Sequence, residues 1–338
     1  MTFKPNIREI HPHAGIAGGD VMIRGAGFRF NGDKRPRVEF GGVDAPIVIS
    51  SEDLMVAKVP EGAISGDLMI HAGTDASDAW PFEVAVNIAD NLHPVANPAV
   101  DQLGNVFTTF SGSRGQKVPV SIYKVDLNYN VHPFVRDLMN PTGMAFDRAG
   151  QLYVSCRNDG TVMRVGATGI VTPFVEGMGV ATGIAFDSQN NLYVGDRSGT
   201  IFKISPDRSI FVFATLEPSI SAYHLAFGPE GYLYVAGPTT SSFDCVQRIS
   251  RNGQVEVFYR GLGRPQGMAF DEQDNLYVAA SVAGRKGVVR ITPQRQAELV
   301  ISGSGIVGLC FIGRALLLAT SNSLYYLNWT CRGRPLLD

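Results

Sequence analysis

The chain has 338 residues, of which 45% are hydrophobic, and it carries 29 basic against 31 acidic side chains. This length exceeds what one hydrophobic core normally supports, so two domains, or one repetitive architecture with an added module, are expected. A formal net charge of −2 gives no global field toward nucleic acid or an anionic membrane, so neither partner is expected.

The chain start and the cysteines bear on location. The opening MTFKPNIREIHPHAG lacks a signal-type apolar stretch, and the longest aliphatic run, ALLLA at residues 315–319, is far too short to span a bilayer. The cysteines contain no CxxC spacing, which predicts free thiols; they are Cys156, Cys245, Cys310 and Cys331. We expect a cytoplasmic protein, or an exported one if a signal peptide had been removed.

The first eighty-odd residues predict a small β-sandwich. The segments PNIREIHPHAGIAGGDVMIRGAGFRF, PRVEFGGVDAPIVIS, LMVAKVPEGAISGDLMIHAG and AWPFEVAV read as six or seven short strands separated by turn signals. The phrases GGDVMIRGAGF and VEFGG resemble an IPT/TIG immunoglobulin-like domain over residues 4–86. That resemblance implies a spacer, an adhesive module or a docking module for a protein partner, and we place this domain at residues 1–86.

A repeat occupies the rest of the chain. The phrase AFDRAGQLYV at Ala145 recurs, with variation, at steps of 40 to 46 residues; the equivalent positions are Ala99, Ala145, Ala185, Ala226, Ala269 and Cys310. Each copy predicts a hairpin, then a third strand with a base or an aromatic residue near its end, then a fourth strand. Four antiparallel strands in each unit of this length indicate propeller blades.

The blade phrase PTGMAFDRAGQLYVSCRNDGTVMRV resembles the NHL and senescence-marker-protein/gluconolactonase group of six-bladed propellers. We therefore predict an all-β chain: an immunoglobulin-like sandwich at residues 1–86, then a six-bladed propeller of four-stranded blades at 87–338. The outer strand of the last blade could come from RGRPLLD at the chain end or from EVAVNIAD before the first repeat, and we favour the chain end. Such propellers host lactonases, lyases and binding modules alike, so the fold does not define the function.

Variable loops point to the functional face. The turn between the first and second strands keeps one length, whereas the loop after the second strand varies, and variable loops on a rigid scaffold usually carry function. Basic side chains of this face would suit a carboxylate, a phosphate or an acidic peptide, although a solvated rim of weak ion pairs is an equal alternative. The predicted ligand-binding residues are Arg157, Arg197, Arg264, Gln266, Thr142, Thr182, Tyr223 and His224.

The resemblance also implies where a divalent cation would bind. Gluconolactonase-like enzymes hold it with carboxylates and amides in the position before the first-strand glycine, and here those positions are Ala96, Thr142, Thr182, Tyr223, Gln266 and Val307. Because none is a carboxylate, we predict no metal site and no cofactor. Other acid or base groups near this end are Tyr223, His224, His93 and Asp196; a buried channel histidine and a loop-fastening aspartate are the simpler interpretations.

Two function classes remain open. The favoured one is a binding protein whose mildly basic face holds an anionic small molecule or an acidic peptide, with the sandwich as a docking module. The other is a gluconolactonase-type hydrolase of sugar lactones or related esters, which would use a divalent metal.

Overall fold

The protein is described by a computed structural model that covers residues 4–28, 35–113, 115–240 and 244–334. Within these ranges it contains β-strands and one 3-10 turn at Pro229–Gly231, and no α-helix. The described part contains no helix with the length and hydrophobicity needed to cross a bilayer. The predicted all-β class, with an N-terminal sandwich followed by a propeller of four-stranded blades, is confirmed.

Ten strands precede the propeller and form the two sheets of the sandwich. One sheet has the order β1-β3-β7-β6, and the other has the order β2-β10-β8-β4-β5 with β9 beside β8. Buried and exposed residues alternate along β3, as expected for a strand with one face on a core. The rings of Phe40 and Phe82 meet at 4.9 Å inside that core. The strands are β1 (Asn6–His11), β2 (Ala14–Gly15), β3 (Asp20–Ala26), β4 (Arg37–Phe40), β5 (Val43–Ala45), β6 (Ile47–Ser50), β7 (Leu54–Lys58), β8 (Gly66–Ala72), β9 (Asp75–Ala76) and β10 (Trp80–Val84).

The sandwich joins the propeller through a shared sheet. Strand β2 pairs in parallel with β10 on one side and, at Gly15, with Ser302 of the propeller on the other. A Cβ at Gly15 or Gly19 would lie 2.6 Å from an atom of Ser302, so only glycine allows this approach. The glycine-rich segment of the sandwich therefore has a docking role that its sequence alone did not indicate.

The repeats form the predicted antiparallel blades. Each innermost strand contacts the next, and β32 contacts β12, so the ring is closed. The strands after β11 (Val86–Ala89) are, blade by blade, β12 (Ala99–Val100), β13 (Val106–Thr109), β14 (Ile122–Val125) and β15 (Val131–Val135); β16 (Pro141–Phe146), β17 (Leu152–Cys156), β18 (Thr161–Val165) and β19 (Val171–Val175); β20 (Ala181–Phe186), β21 (Leu192–Asp196), β22 (Thr200–Ile204) and β23 (Ile210–Thr215); β24 (His224–Phe227), β25 (Leu233–Ala236), β26 (Asp244–Ile249) and β27 (Val255–Leu262); β28 (Met268–Phe270), β29 (Leu276–Val282), β30 (Arg285–Ile291) and β31 (Ala297–Ser302); and β32 (Ile306–Ile312), β33 (Ala315–Thr320) and β34 (Leu324–Asn328). We number the blades 1 to 6 in this order.

The segment that completes blade 6 differs from the prediction. Strand β11 pairs antiparallel with β34, with Val86 opposite Tyr326, so EVAVNIAD supplies the outer strand and the favoured chain-end segment was wrong. Of the chain-end segment, residues 332–334 are described and 335–338 lie outside the described residues. The amide of Arg334 donates to the Phe270 carbonyl oxygen of blade 5 at 2.9 Å. The predicted division at residue 86 falls at the first residue of β11, two residues after the last sandwich strand ends.

The repeated Asp and Tyr positions have structural roles. Asp187 accepts hydrogen bonds from the amides of Gln189 and Asn191 and so closes the tight turn of its blade. The ring of Tyr193 packs edge-on against Phe227 of the next blade at 5.1 Å. Equivalent inter-blade pairs are Tyr153–Phe186, Tyr234–Phe270 and Tyr277–Phe311, so these tyrosines pack between blades.

The base in the third strand covers the same aromatic ring. Lys203 lies opposite Tyr193 in the sheet, with its Nζ 5.7 Å from the ring centroid. Lys124 occupies the same position over Phe107. Arg248, opposite Tyr234, instead has its guanidinium 4.5 Å from the ring centroid of Tyr232. A cation above an aromatic face is attracted by the ring quadrupole, so these recurring bases are part of the packing of the blades.

Candidate functional site

The candidate site lies around the axis, where the innermost strands begin. We call the face where these strands start the upper face and the face with the Asp-based tight turns the lower face. The positions before the first-strand glycines are at the upper end of the axis. The variable loops, which follow the second strands, share this face, so the chain places the predicted ligand-binding residues and the variable loops on the same side of the ring.

Glycines let neighbouring inner strands touch. A Cβ at Gly143 would lie 2.5 Å from the Thr182 carbonyl oxygen, and a Cβ at Gly308 would lie 2.4 Å from the Ala96 carbonyl oxygen. A real Cβ does not fit at such distances. These positions therefore require glycine, because the inner strands crowd together near the axis.

Asn97 and His224 replace this glycine in blades 1 and 4, which are three steps apart around the ring in either direction. The Asn97 Nδ2 donates to the Met268 carbonyl oxygen at 2.9 Å, and its Oδ1 accepts from the Leu309 amide at 3.1 Å. The His224 side chain is more enclosed than the partly buried Asn97, with 3% of its surface exposed, but no described residue forms a hydrogen bond with its ring. Burial lowers the pKa of the His224 imidazole to about 4, so this ring is neutral at pH 7.

The hydroxyl groups above the glycines bond within the protein. Thr182 Oγ1 donates to the Gly195 carbonyl oxygen at 2.7 Å and accepts from the Tyr223 amide at 3.1 Å. The Tyr223 hydroxyl donates to the Glu217 carbonyl oxygen, and burial, followed by the charges of Glu217 and Asp196, raises the pKa of Tyr223 to about 12. Thr142 Oγ1 donates to the Asn140 carbonyl oxygen at 3.3 Å. Thr182 thus links blade 3 to blade 4, whereas the hydroxyls of Tyr223 and Thr142 bond within their own segments.

A divalent cation does not fit the strand heads, by which we mean the residues before the first-strand glycines at the upper end of the axis. A hard cation takes six or more oxygens, several of them charged, whereas the donors here are two threonines whose hydroxyls already bond to carbonyl oxygens, one tyrosine and the half-buried Gln266. Among the described residues, no group of three or more His, Cys, Asp and Glu side chains could hold a metal ion.

The four weak catalytic candidates are not brought together as one set. His93 is exposed and stacks near Phe110 with 5.5 Å between ring centroids, whereas Tyr223 and His224 are buried in blade 4. Asp196 accepts from the Val180 amide at 2.8 Å and from the Ser198 hydroxyl, which fastens its loop. No hydrogen bond between described residues joins any two of the four.

The predicted arginines lie in three different loops. Arg157 donates from Nη2 to the Gly112 carbonyl oxygen of blade 1 at 3.0 Å, and Arg197 donates from Nε to the Ser219 carbonyl oxygen of blade 4 at 3.2 Å. Both guanidinium groups thus reach across to a neighbouring blade. Arg197 and Arg264 are exposed, and the backbone of Arg264 is in the left-handed region, at a φ of 48°.

The four cysteines are free thiols, as predicted. Burial, together with the charge of Asp159, raises the pKa of the Cys156 thiol to about 12. A reactive thiolate at this position is therefore excluded at neutral pH.

A cavity in the lower half of the axis was not anticipated from the sequence. It has a volume of about 110 Å³, all the innermost strands contribute to its wall, and His224 is the buried imidazole in that wall. Thr142, Thr182, Tyr223 and Gln266 do not line it. The one signal in the sequence is the small-to-aromatic pattern of the repeat, since Ala185 and Phe186, with their counterparts in other blades, form the wall.

Comparison with known proteins agrees with this architecture. The IPT/TIG domain model matches residues 5–81, so the sandwich is an IPT/TIG domain. Comparison with curated protein sequences finds no significant match.

Solved structures match at low sequence identity, which shows the fold alone. A gluconolactonase candidate matches with a TM-score of 0.61 and 18% identity over 75% of this chain and 93% of its own. An auxiliary nutrient binding protein from Bacteroides thetaiotaomicron matches with a TM-score of 0.57 and 12% identity over 96% and 98%. Virginiamycin B lyase from Staphylococcus aureus matches with a TM-score of 0.51 and 13% identity over 83% and 92%. The chain is therefore an IPT/TIG domain followed by a β-propeller with the fold that gluconolactonase-like and lyase propellers share.

Proposed function

We propose that this chain is a binding protein of the six-bladed NHL and gluconolactonase-like group, and that its upper face holds an anionic small molecule or an acidic peptide. Arg157, Arg197 and Arg264 supply the positive charge, and the IPT/TIG domain is a docking module for a protein partner. The four free thiols are in keeping with the cytoplasmic location expected for the chain.

One observation carries this proposal: the polar side chains at the strand heads are used for internal hydrogen bonds, whereas guanidinium groups are exposed on the rim. Thr182 and Tyr223 are bonded to backbone groups of neighbouring segments. Arg197 uses one donor on Ser219 and is otherwise exposed, and a guanidinium has five donors. A planar donor fork at the edge of a rigid ring suits a carboxylate or a phosphate.

The two-domain match to the nutrient binding protein from Bacteroides supports a binding role. It extends over both the sandwich and the propeller of this chain, whereas the gluconolactonase candidate covers 75% of it.

The test measures binding of citrate, inorganic phosphate and a poly-glutamate peptide by calorimetry at low salt. The Arg197→Ala/Arg264→Ala double variant should weaken binding of the preferred probe by about tenfold or more, since each charged hydrogen bond contributes roughly 1.5 kcal/mol or more. Arg208→Ala is the matched control, because Arg208 is an exposed arginine in a turn on the lower face. Absence of binding for every probe, or equal affinity in the double variant, refutes the proposed site.

The alternative is a lactone or ester hydrolase, which the fold shared with the gluconolactonase candidate favours. Its test is the metal content of the purified protein together with turnover of a lactone panel. Stoichiometric metal with chelator-sensitive hydrolysis would establish the hydrolase and overturn the binding proposal. If the purified protein contains no metal and hydrolyses none of the lactones, the hydrolase function is excluded.

A further inference from the structure

The axial cavity carries an inference that is separate from the upper face. We propose that this cavity binds a small, neutral, largely apolar molecule that carries one hydroxyl or carbonyl group, and that the His224 imidazole forms the hydrogen bond to that group. The cavity is in the lower half of the axis, below the ring formed by the first-strand glycines, Asn97 and His224.

The first argument is the unsatisfied state of His224. Polar groups in a protein interior are nearly always hydrogen-bonded, so an imidazole that opens into a cavity without a partner calls for an explanation. Asn97, the counterpart of His224 on the opposite side of the ring, satisfies both of its amide atoms within the protein. His224 has 3% of its surface exposed and lines the cavity, and no described residue bonds to its ring. A ligand group in the cavity would supply the missing partner.

The second argument is the apolar wall. Apart from His224, Asn97 and one end of the cavity, the lining consists of main-chain atoms and of hydrophobic side chains such as Met144, Ile184 and Met268. A mostly apolar wall with few polar groups favours apolar guests. The guest therefore gains its affinity mostly from apolar contact and its orientation from one hydrogen bond.

The third argument concerns charge. His224 is neutral at pH 7, and burial raises the pKa of the Cys310 thiol in the same wall, so both of these groups are uncharged. Arg334 lies at the lower end, with its Nη1 2.6 Å from Asp274 Oδ1, so its charge is already compensated. A charged guest would lose its hydration without gaining an unpaired counter-charge, which is why we specify a neutral one.

The fourth argument is size. A volume of about 110 Å³ is of the same order as cavities that hold one benzene molecule, so the guest has about six non-hydrogen atoms. Cyclopentanol fits this description. Methylcyclopentane replaces its hydroxyl with a methyl group, and butyrate has the same number of non-hydrogen atoms but carries a charge.

The test uses the intact protein with ¹³C-methyl methionine as the reporter. Met144 and Met268 line the cavity, whereas Met55 is in the sandwich core and Met178 is packed between blades. Cyclopentanol should shift the methyl signals of Met144 and Met268 saturably and leave those of Met55 and Met178 in place. Butyrate at equal concentration should shift none of them. Absence of a saturable shift with cyclopentanol, or saturable binding of butyrate, overturns the proposal.

The hydrogen bond is tested by comparing two guests in two proteins. The ratio of cyclopentanol affinity to methylcyclopentane affinity should fall about fivefold in His224→Leu, which corresponds to roughly one neutral hydrogen bond. His132→Leu is the control, because His132 is an exposed histidine on the outer strand of blade 1, and it should leave the ratio unchanged. An unchanged ratio in a folded His224→Leu protein removes His224 from the site. The methionine experiment on the unaltered chain remains decisive even if that variant does not fold.

Discussion

The side-chain amide of Asn97 donates to the Met268 carbonyl oxygen at 2.9 Å and thereby links blade 1 to blade 5. The Oδ1 of the same side chain accepts a hydrogen bond from the Leu309 amide of blade 6 at 3.1 Å. Asn97 thus connects the first blade to the last two, at the point where the ring has to close.

Replacing Asn97 with Ala should lower the free energy of unfolding by about 2–4 kcal/mol, because one buried donor and one buried acceptor lose their partners. Urea denaturation followed by circular dichroism measures this change. Asn128→Ala is the control, since Asn128 is exposed and uses only its backbone amide in the turn; it should change the free energy by less than about 0.5 kcal/mol. Equal losses in both variants would mean that Asn97 has no special role in closure.

The repeat allowed the propeller to be predicted because each repeated residue has one packing role in every blade. Glycine permits strand contact near the axis, as at Gly143, and the second-strand tyrosine packs against the next blade, as Tyr193 does against Phe227. The closing strand was mispredicted because it occurs once. Both candidate segments are short, and the choice depends on where the sandwich places Val86 relative to Tyr326.

The candidate site was less predictable than the fold, because its properties depend on contacts between loops of different blades. The sequence places Arg157 and Arg197 on one face, but it does not show that each guanidinium reaches a carbonyl oxygen of a neighbouring blade. The missing partner of His224 and the cavity beneath it are also properties of the assembled ring. Residue types at single positions do not contain this information.

The outer strand of blade 3 exposes an aromatic residue where blades 1, 2, 4 and 5 have a proline or a charge. Phe211 is opposite Lys203 and is 56% exposed. The equivalent position is Glu256 in blade 4, which forms an ion pair with Arg248, and Glu298 in blade 5, with Arg290. Blades 1 and 2 instead have a proline in the outer strand, at Pro133 and Pro173. Charges and prolines both prevent edge-to-edge association of strands.

Phe211→Glu should therefore reduce self-association of the protein at high concentration and change the free energy of unfolding by less than about 1 kcal/mol, since the new pair with Lys203 is at the surface. Static light scattering over a concentration series measures the first effect, and urea denaturation measures the second. The reciprocal variant, Glu256→Phe, should increase scattering. Unchanged scattering in both variants would show that exposed Phe211 does not promote self-association.

His224 predicts a dependence of stability on pH. The pKa of this imidazole is about 4 in the folded protein, below its ordinary value of 6.5, because of burial. Below pH 6.5 the unfolded chain binds a proton that the folded chain does not, so the stabilisation is complete above pH 6.5 and is lost as the pH falls toward 4. The free energy of unfolding should fall by at most about 1.4 kcal/mol for each pH unit, and by about 3 kcal/mol in total.

The measurement is urea denaturation at several pH values between 4 and 7 for the unaltered protein and for His224→Gln. Between pH 7 and pH 4, the free energy of unfolding of the variant should fall by about 3 kcal/mol less than that of the unaltered protein. Subtracting one curve from the other removes the contribution of His11, whose pKa is also lowered, chiefly by burial. Parallel curves would show that His224 takes up its proton without unfolding.

The pairing of β11 with β34 makes a prediction about truncation. A protein that begins at residue 86 retains Val86–Ala89 and therefore keeps the outer strand of blade 6, whereas one that begins at residue 90 leaves the edge of β34 unpaired. Both lose the IPT/TIG domain and its contact with blade 5, so they differ only in this strand. An unpaired edge strand is a template for association with another chain. We expect the longer fragment to unfold cooperatively as a monomer and the shorter one to unfold at lower urea concentration and to aggregate. Size-exclusion chromatography and urea denaturation distinguish the two, and identical behaviour of the fragments would show that β11 is dispensable for closure of the ring.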